Sequence, residues 1–248
     1  MNLRWILLLV LSVSAGCVSA QKQDQAASRA LLGQAYLRES NPAGAVLILE
    51  EAVQLDRYNF EAWQNLALAY MSQGVFEDSE RAFKKALQLA PGRAEINNNY
   101  GLLLLKLDRR EESIASFEAA IADITYRSPA LAMSNLGYVF YLDGRNDEAL
   151  AHLTEALRRA PGLCQAQFNR GLVYRASGEA DLALADFQQT IDTCGDTASG
   201  AYLQAAEVML EQGDVYGGCV YLDRLATIDP HSPLGRDARE VRARSCQR

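Results

Sequence analysis

The chain has 248 residues, with 24 Lys and Arg against 31 Asp and Glu, and a formal net charge of −7. The charge is spread rather than clustered, which excludes the electrostatic footprint of a nucleic-acid binder and makes anionic lipid a poor partner. With 49% hydrophobic and 22% charged residues, the composition is that of a globular protein with no disordered part.

Residues 1–16 follow different rules from the rest. Arg4 supplies a positive start, Trp5 to Val13 is an apolar run, and Ser14-Ala15-Gly16-Cys17 follows. The run is too short for a spanning helix and reads as a secretory signal. Val18-Ser19-Ala20 also offers small residues for ordinary cleavage. Ser14-Ala15-Gly16-Cys17, however, resembles the bacterial lipobox. That resemblance implies a diacylglycerol on the thiol of Cys17, membrane attachment through this N-terminal lipid, and a lipidated tether over residues 17–25. Val18 after the cysteine resembles the outer-membrane sorting pattern of Gram-negative lipoproteins, which implies the periplasmic face of the outer membrane.

From Ala26 the chain falls into frames of 34 residues: 26–59, 60–93, 94–127, 130–163, 164–197 and 199–232. The clearest is Phe60 to Arg93. Trp63, Leu66, Ala67 and Tyr70 form one stripe of a 3.6-period helix, Phe83 and Ala86 stripe a second, Gly74 separates them and Pro91 ends the unit. The first frame repeats the pattern weakly, with Arg29 and Arg57 at the Trp and Pro places, as suits a terminal unit. The third carries Tyr100, Gly101, Leu104, Ser113, Phe117 and Ala120; the insertion Ser128-Pro129 then precedes a fourth frame with Met133, Leu136, Gly137, Phe140, Gly144, Ala149, Leu153, Ala156 and Pro161. In the fifth, Gly171, Tyr174, Gly178, Ala183 and Phe187 keep the frame while Gln167 and Arg170 weaken its first helix. After one extra residue, Ala198, the sixth carries Tyr202, Ala205, Ala206, Met209, Gly213, Gly218, Leu222 and Leu225. Residues 233–248 predict a capping helix with Leu234, Ala238 and Val241 inward.

The periodicity predicts an all-α protein of six stacked helical hairpins plus a C-terminal cap. Over residues 26–232 it resembles the tetratricopeptide repeat, which implies a right-handed superhelix whose first helices line a concave groove. By that resemblance the groove is lined by Leu68 and Met71, Leu102 and Leu105, Tyr138 and Tyr141, and Phe168 and Leu172, with Arg175 and Leu203 also facing it. The carboxylate clamp of chaperone-binding tetratricopeptide proteins is absent. An apolar lining of this extent points to a bound protein segment; the competing reading is that these side chains pack on one another. Asn65, Asn99, Asn135 and Asn169, with Gln204, recur at the sixth place, where hydrogen bonding between successive hairpins is favoured over contact with a partner backbone.

Of five cysteines, Cys17 is assigned to lipid, and four remain to pair in an oxidising compartment. Cys164 opens the first helix of the fifth frame and Cys194 ends its second, so antiparallel packing brings them together. Cys219 and Cys246 flank the Ser232-Pro233 turn about equally. The predicted disulfides are therefore Cys164–Cys194 and Cys219–Cys246, the alternative being four free buried thiols.

Catalytic signatures are missing: there is no phosphate loop, nucleophile elbow or metal-ligand spacing, and no paired carboxylates are picked out by spacing. His152 and His231 are read as surface residues. The expectation is a protein that is not an enzyme, with no cofactor, metal, nucleic acid or small-molecule substrate.

Asn97-Asn98-Asn99-Tyr100-Gly101, and Tyr126-Arg127-Ser128-Pro129-Ala130 leading to Asn135-Leu136-Gly137, resemble the type IV pilus biogenesis and stability lipoproteins PilW, PilF and Tgl. So does the plan of lipoprotein signal, six repeats, short C-terminal helix and cysteine pair. The resemblance implies a pilotin, an outer-membrane lipoprotein that binds a PilQ-like secretin subunit and promotes its localisation or multimerisation, as needed for pilus biogenesis and twitching or social motility. The alternative is a general tetratricopeptide lipoprotein adaptor for an envelope protease or an outer-membrane assembly machine.

Overall fold

The structure is a computed structural model that describes residues 3–246, with side chains from residue 20 onward. The signal sequence and the lipidation site at Cys17 therefore lie outside the described side chains. Among the described residues the chain forms thirteen α-helices and one 3-10 turn. They divide into two compact units, Met1–Tyr126 and Arg127–Arg248. The division falls beside the Ser128-Pro129 insertion, where Pro129 begins the next helix at a position that needs no backbone donor.

The first unit holds three hairpins: α1 (Leu3–Arg38) with α2 (Pro42–Leu55), α3 (Phe60–Gln73) with α4 (Phe76–Leu89), and α5 (Ala94–Lys106) with α6 (Arg110–Ala122). Helix α1 runs unbroken through the polar stretch 21–25, which has no Gly or Pro and is rich in helix-compatible Gln and Lys. The second unit holds α7 (Pro129–Leu142) with α8 (Asn146–Arg159), α9 (Cys164–Ala176) with α10 (Ala180–Cys194), the 3-10 turn Gly195–Thr197, α11 (Ser199–Glu211) with α12 (Val215–Ile228), and the cap α13 (Pro233–Ser245). Asn41, Asn59, Asp214 and Ser232 each accept a backbone N–H three residues on, capping α2, α3, α12 and α13.

Three frame positions explain why the hairpins close. At the eighth, Gly33, Ala67, Gly101, Gly137, Gly171 and Ala206 are small because the residue sixteen positions on lies directly against them. A Cβ on Gly101 would stand 2.7 Å from the Phe117 ring and one on Gly171 2.6 Å from Phe187. Those partners, Leu49, Phe83, Phe117, Leu153, Phe187 and Leu222, are all fully buried. At the twentieth, Ala, Ser or Gly recurs; Ser79 and Ser113 are buried, and each donates its hydroxyl to the carbonyl of its paired small residue, Ala67 and Gly101, at 2.8 Å. At the fifteenth, every hairpin turns through a left-handed residue: Gly74, Gly144, Gly178 and Gly213, with Ser40 (φ 57°) and Asp108 (φ 56°) doing the same in the first and third hairpins.

The core of the first unit is built around Leu49, Ala52 and Leu66 and around Phe83, Ile96 and Leu103; that of the second includes Phe187, Tyr202, Leu222, Leu225 and Ala238. Trp63 and Tyr70, in frame for the core, are only half-buried: each keeps a polar tip, the indole N–H donating to the Arg57 carbonyl at 3.0 Å and the phenol to Glu50 at 2.6 Å. His152 is not the surface residue expected of it but half-buried, stacked on Phe140 with ring centroids 5.3 Å apart. The fifth hairpin's weak first helix is explained by an ion pair. Arg170 donates to both oxygens of Asp186 at 2.7 and 2.8 Å, with the Asp186 side chain 8% exposed. In the first unit Glu80 accepts from Lys84, Arg109 and Tyr100. Those hydrogen bonds, Lys84 first, hold its carboxyl down at about 2. On α13, Ala238 is buried while Arg236, Asp237, Arg239, Glu240, Arg242 and Arg244 are exposed, and Leu234 and Val241 pack on the core beneath.

Candidate partner-binding surfaces

All eight residues expected along the first helices are half-buried: Leu68, Met71, Leu102 and Leu105 in the first unit, Tyr138, Tyr141, Phe168 and Leu172 in the second. Half-burial is what an apolar row on a stacked hairpin must show, since the next hairpin covers one flank. Leu68 and Met71 pack against the cluster that includes Leu103 and Leu104, and Phe168 and Leu172 against the one that includes Tyr202 and Leu203. Tyr138 and Tyr141 lie one helical turn apart with ring centroids 6.1 Å apart. Self-packing therefore accounts for part of the row's apolar area and leaves the remainder in solvent. Two flanking positions do not present free groups: Leu203 is buried, and Arg175 reaches α11, where it pairs with Glu207 at 2.6 Å and Glu211 at 2.5 Å.

The sixth-place amides divide. Asn135 accepts from Gln165 of the following hairpin at 2.9 Å, and Gln204 accepts from Arg175 of the preceding one at 2.6 Å, so both act between hairpins. Asn169 differs, since its buried amide nitrogen has no hydrogen-bond partner. In the first unit, Asn65 lines a cavity of about 390 Å³ with Ala30, Gln34, Glu61 and Gln64; at its edge the Arg93 guanidinium stands 5.2 Å over the Phe60 ring.

Cys164 is joined to Cys194 and Cys219 to Cys246, with Cα atoms 6.4 and 6.0 Å apart. The first bridge ties the start of α9 to the end of α10, and the second ties α12 to the end of α13. Next to the first bridge lies an apolar pocket that sequence reasoning missed. It has a volume of about 200 Å³ and is lined by the disulfide together with Gln165, Phe168, Thr190, Thr197 and Gly200. Two signals in the sequence mark it: the single extra residue Ala198, and Gly200 at a frame position where the other five repeats carry Ala27, Glu61, Glu95, Leu131 and Gln165. Among the described residues no group of three His, Cys, Asp or Glu converges as a metal site, and no helix is long and apolar enough to cross a membrane.

Repeated antiparallel hairpins with small-residue contacts at a 34-residue spacing define a tetratricopeptide-repeat protein, and models of the tetratricopeptide repeat match residues 60–93, 92–161 and 144–199. The chain belongs to that family. An uncharacterized protein of Haemophilus influenzae is 28% identical over 157 residues, covering 63% of this chain and 87% of its own. The type IV pilus assembly protein PilF of Pseudomonas aeruginosa is 27% identical over 169 residues, 64% of this chain and 67% of its own. Among solved structures, that of PilW, a widely conserved type IV pilus biogenesis factor, matches with a TM-score of 0.78 and 27% identity over 86% of this chain and 97% of PilW.

Proposed function

We propose that this chain is a non-enzymatic accessory protein of type IV pilus biogenesis that acts as a pilotin. Lipidated at Cys17 and held at the periplasmic face of the outer membrane, it binds an apolar segment of the secretin subunit through the first helices of its hairpins and favours the secretin's localisation or multimerisation. The observation that carries this reading is the likeness to PilW over 86% of the chain, joined to half-buried apolar side chains on α3, α5, α7 and α9. The physical logic is that of a holdase. A secretin segment destined for burial in the multimer is apolar and prone to aggregate, and a rigid scaffold that covers it needs no chemistry, only complementary apolar area.

The test is to compare membranes from a strain lacking this chain with membranes from its parent. Heat-stable secretin multimers are expected to disappear while secretin monomer persists. Complementation with Leu102→Glu/Tyr138→Glu is expected to restore a folded protein without restoring multimers. Unchanged multimers and normal twitching in the deletion strain would refute the reading and favour the general envelope adaptor.

A further inference from the structure

The pocket beside the Cys164–Cys194 bridge has features that the general groove reading does not use. Its wall is Phe168, whose ring is held by Phe187 at 5.7 Å between centroids. One side of that ring stays uncovered because Gly200 has no side chain there; a Cβ on Gly200 would stand 3.1 Å from Phe168 Cζ. The 3-10 turn Gly195–Thr197 and the extra Ala198 carry the chain around the rim before α11 begins.

The polar side chains that line the pocket have spent hydrogen bonds elsewhere. Thr190 Oγ1 donates to the Asp186 carbonyl and Thr197 Oγ1 to the Cys194 carbonyl, each at 2.8 Å. The Gln165 amide nitrogen donates to Asn135 at 2.9 Å. What faces a ligand is mainly aromatic carbon, methyl groups and the disulfide sulfurs, with the exposed Gln165 amide and the threonine lone pairs as the polar remainder, and a polar group placed against the Phe168 ring would lose water without gaining a partner. The volume of about 200 Å³ compares with ~150 Å³ for an apolar cavity that takes one benzene ring.

We propose that this pocket binds a single leucine- or phenylalanine-sized side chain of the partner segment and so sets the register in which that segment lies on the second unit. The inference rests on the reading above that a protein segment is the ligand. The occupant is non-polar because the wall it meets is chiefly the Phe168 ring and the disulfide, and both threonine hydroxyl protons are already engaged. It is single because the pocket has room for one ring, and it is shape-selected because the wall and floor are fixed by Phe187 packing and by a covalent bridge. Groove rows on stacked repeats are open along their length and let an apolar strand slide; a pocket with a fixed wall that seats one side chain restricts that freedom.

The test uses 15N-labelled mature protein and blocked peptides acetyl-Gly-X-Gly-amide with X as Leu, Phe, Ser or Lys, followed by amide shifts. The Leu and Phe peptides are expected to shift Thr197, Gly200 and Ala201 saturably, at concentrations at least about tenfold lower than the Ser and Lys peptides. Gly200→Val, which fills the socket, and Thr197→Trp, which covers it from the exposed rim without entering the core, should each weaken the Leu peptide by about tenfold or more. Equal shifts from the Leu and Ser peptides, or Leu-peptide binding untouched by Thr197→Trp, would overturn the proposal. The pilotin reading is tested separately by capture of purified secretin. Loss of capture with Leu102→Glu but full capture by Thr197→Trp would leave that reading standing and remove the socket's role in it.

Discussion

At the level of single residues, the turn position shows how much a frame conveys and where it stops. Gly74, Gly144, Gly178 and Gly213 sit where the chain must be left-handed, and their identity announces it. Ser40 and Asp108 adopt the same φ and look like any loop residue in sequence, because only the repeat register reveals that they carry a backbone conformation costing roughly 1–2 kcal/mol for an L side chain. Ser40 is exposed, and its backbone N–H bond to the Leu37 carbonyl does not depend on its side chain. Ser40→Gly is therefore expected to raise stability in urea by about 0.5–1 kcal/mol, after allowing for the greater freedom of glycine in the unfolded chain. Gly74→Ala should lower it by about 1 kcal/mol. A loss of stability in Ser40→Gly would contradict the strain assigned to that turn.

At the level of elements, the fifth hairpin departs most from its siblings. Arg170 and Gln167 weaken the apolar stripe of α9 in sequence, yet α9 and α10 pair like the others because Asp186 supplies the missing partner across the hairpin. Arg170 and Asp186 stand sixteen residues apart, the separation that also brings Gly171 to Phe187, but before the hairpin is packed a charged residue on a weak stripe reads equally well as solvent-facing. The pair is well covered, so breaking it costs more than an exposed bridge would. Arg170→Leu, which strands Asp186, is expected to destabilise by about 3–5 kcal/mol, whereas Arg170→Leu/Asp186→Ala should recover most of that loss. Thermal or urea unfolding of the three variants measures it; equal destabilisation by the single and double changes would show that the ion pair is not what holds the hairpin.

At the level of the whole molecule, the covalent reinforcement is unevenly distributed. Both disulfides lie within Arg127–Arg248, and Met1–Tyr126 holds no bridge among its described residues. Repeat arrays are stabilised by neighbour contacts and do not have to unfold as one body. Each bridge closes a loop, with sequence separations of 30 and 27, and contributes ~2–4 kcal/mol by restricting the unfolded chain. Reduction should therefore accelerate amide exchange throughout α9 to α13 and leave α3 to α5 at their oxidised rates. Uniform acceleration along the chain would mean that the two units unfold as a single cooperative body.

Composition and period by themselves determined the class: a 34-residue frame with small residues at fixed places admits only hairpins closed at those places, because a larger side chain at Gly101 or Gly171 would collide with its partner ring. The same period placed both cysteine pairs, since antiparallel helices of equal length return to the level at which they began. What only the tertiary structure decided is how much of each apolar stripe is left over. Phe168 and Leu203 share the fifth place and both read as groove residues, but the first is half-buried and the second buried, because burial depends on the neighbouring hairpin as well as on a residue's own place in the frame. The socket at Phe168 arose in the same way. It needs an uncovered ring, a missing side chain at Gly200, and hydroxyls already bonded to the backbone, and that conjunction exists only once α9, α10 and α11 are packed.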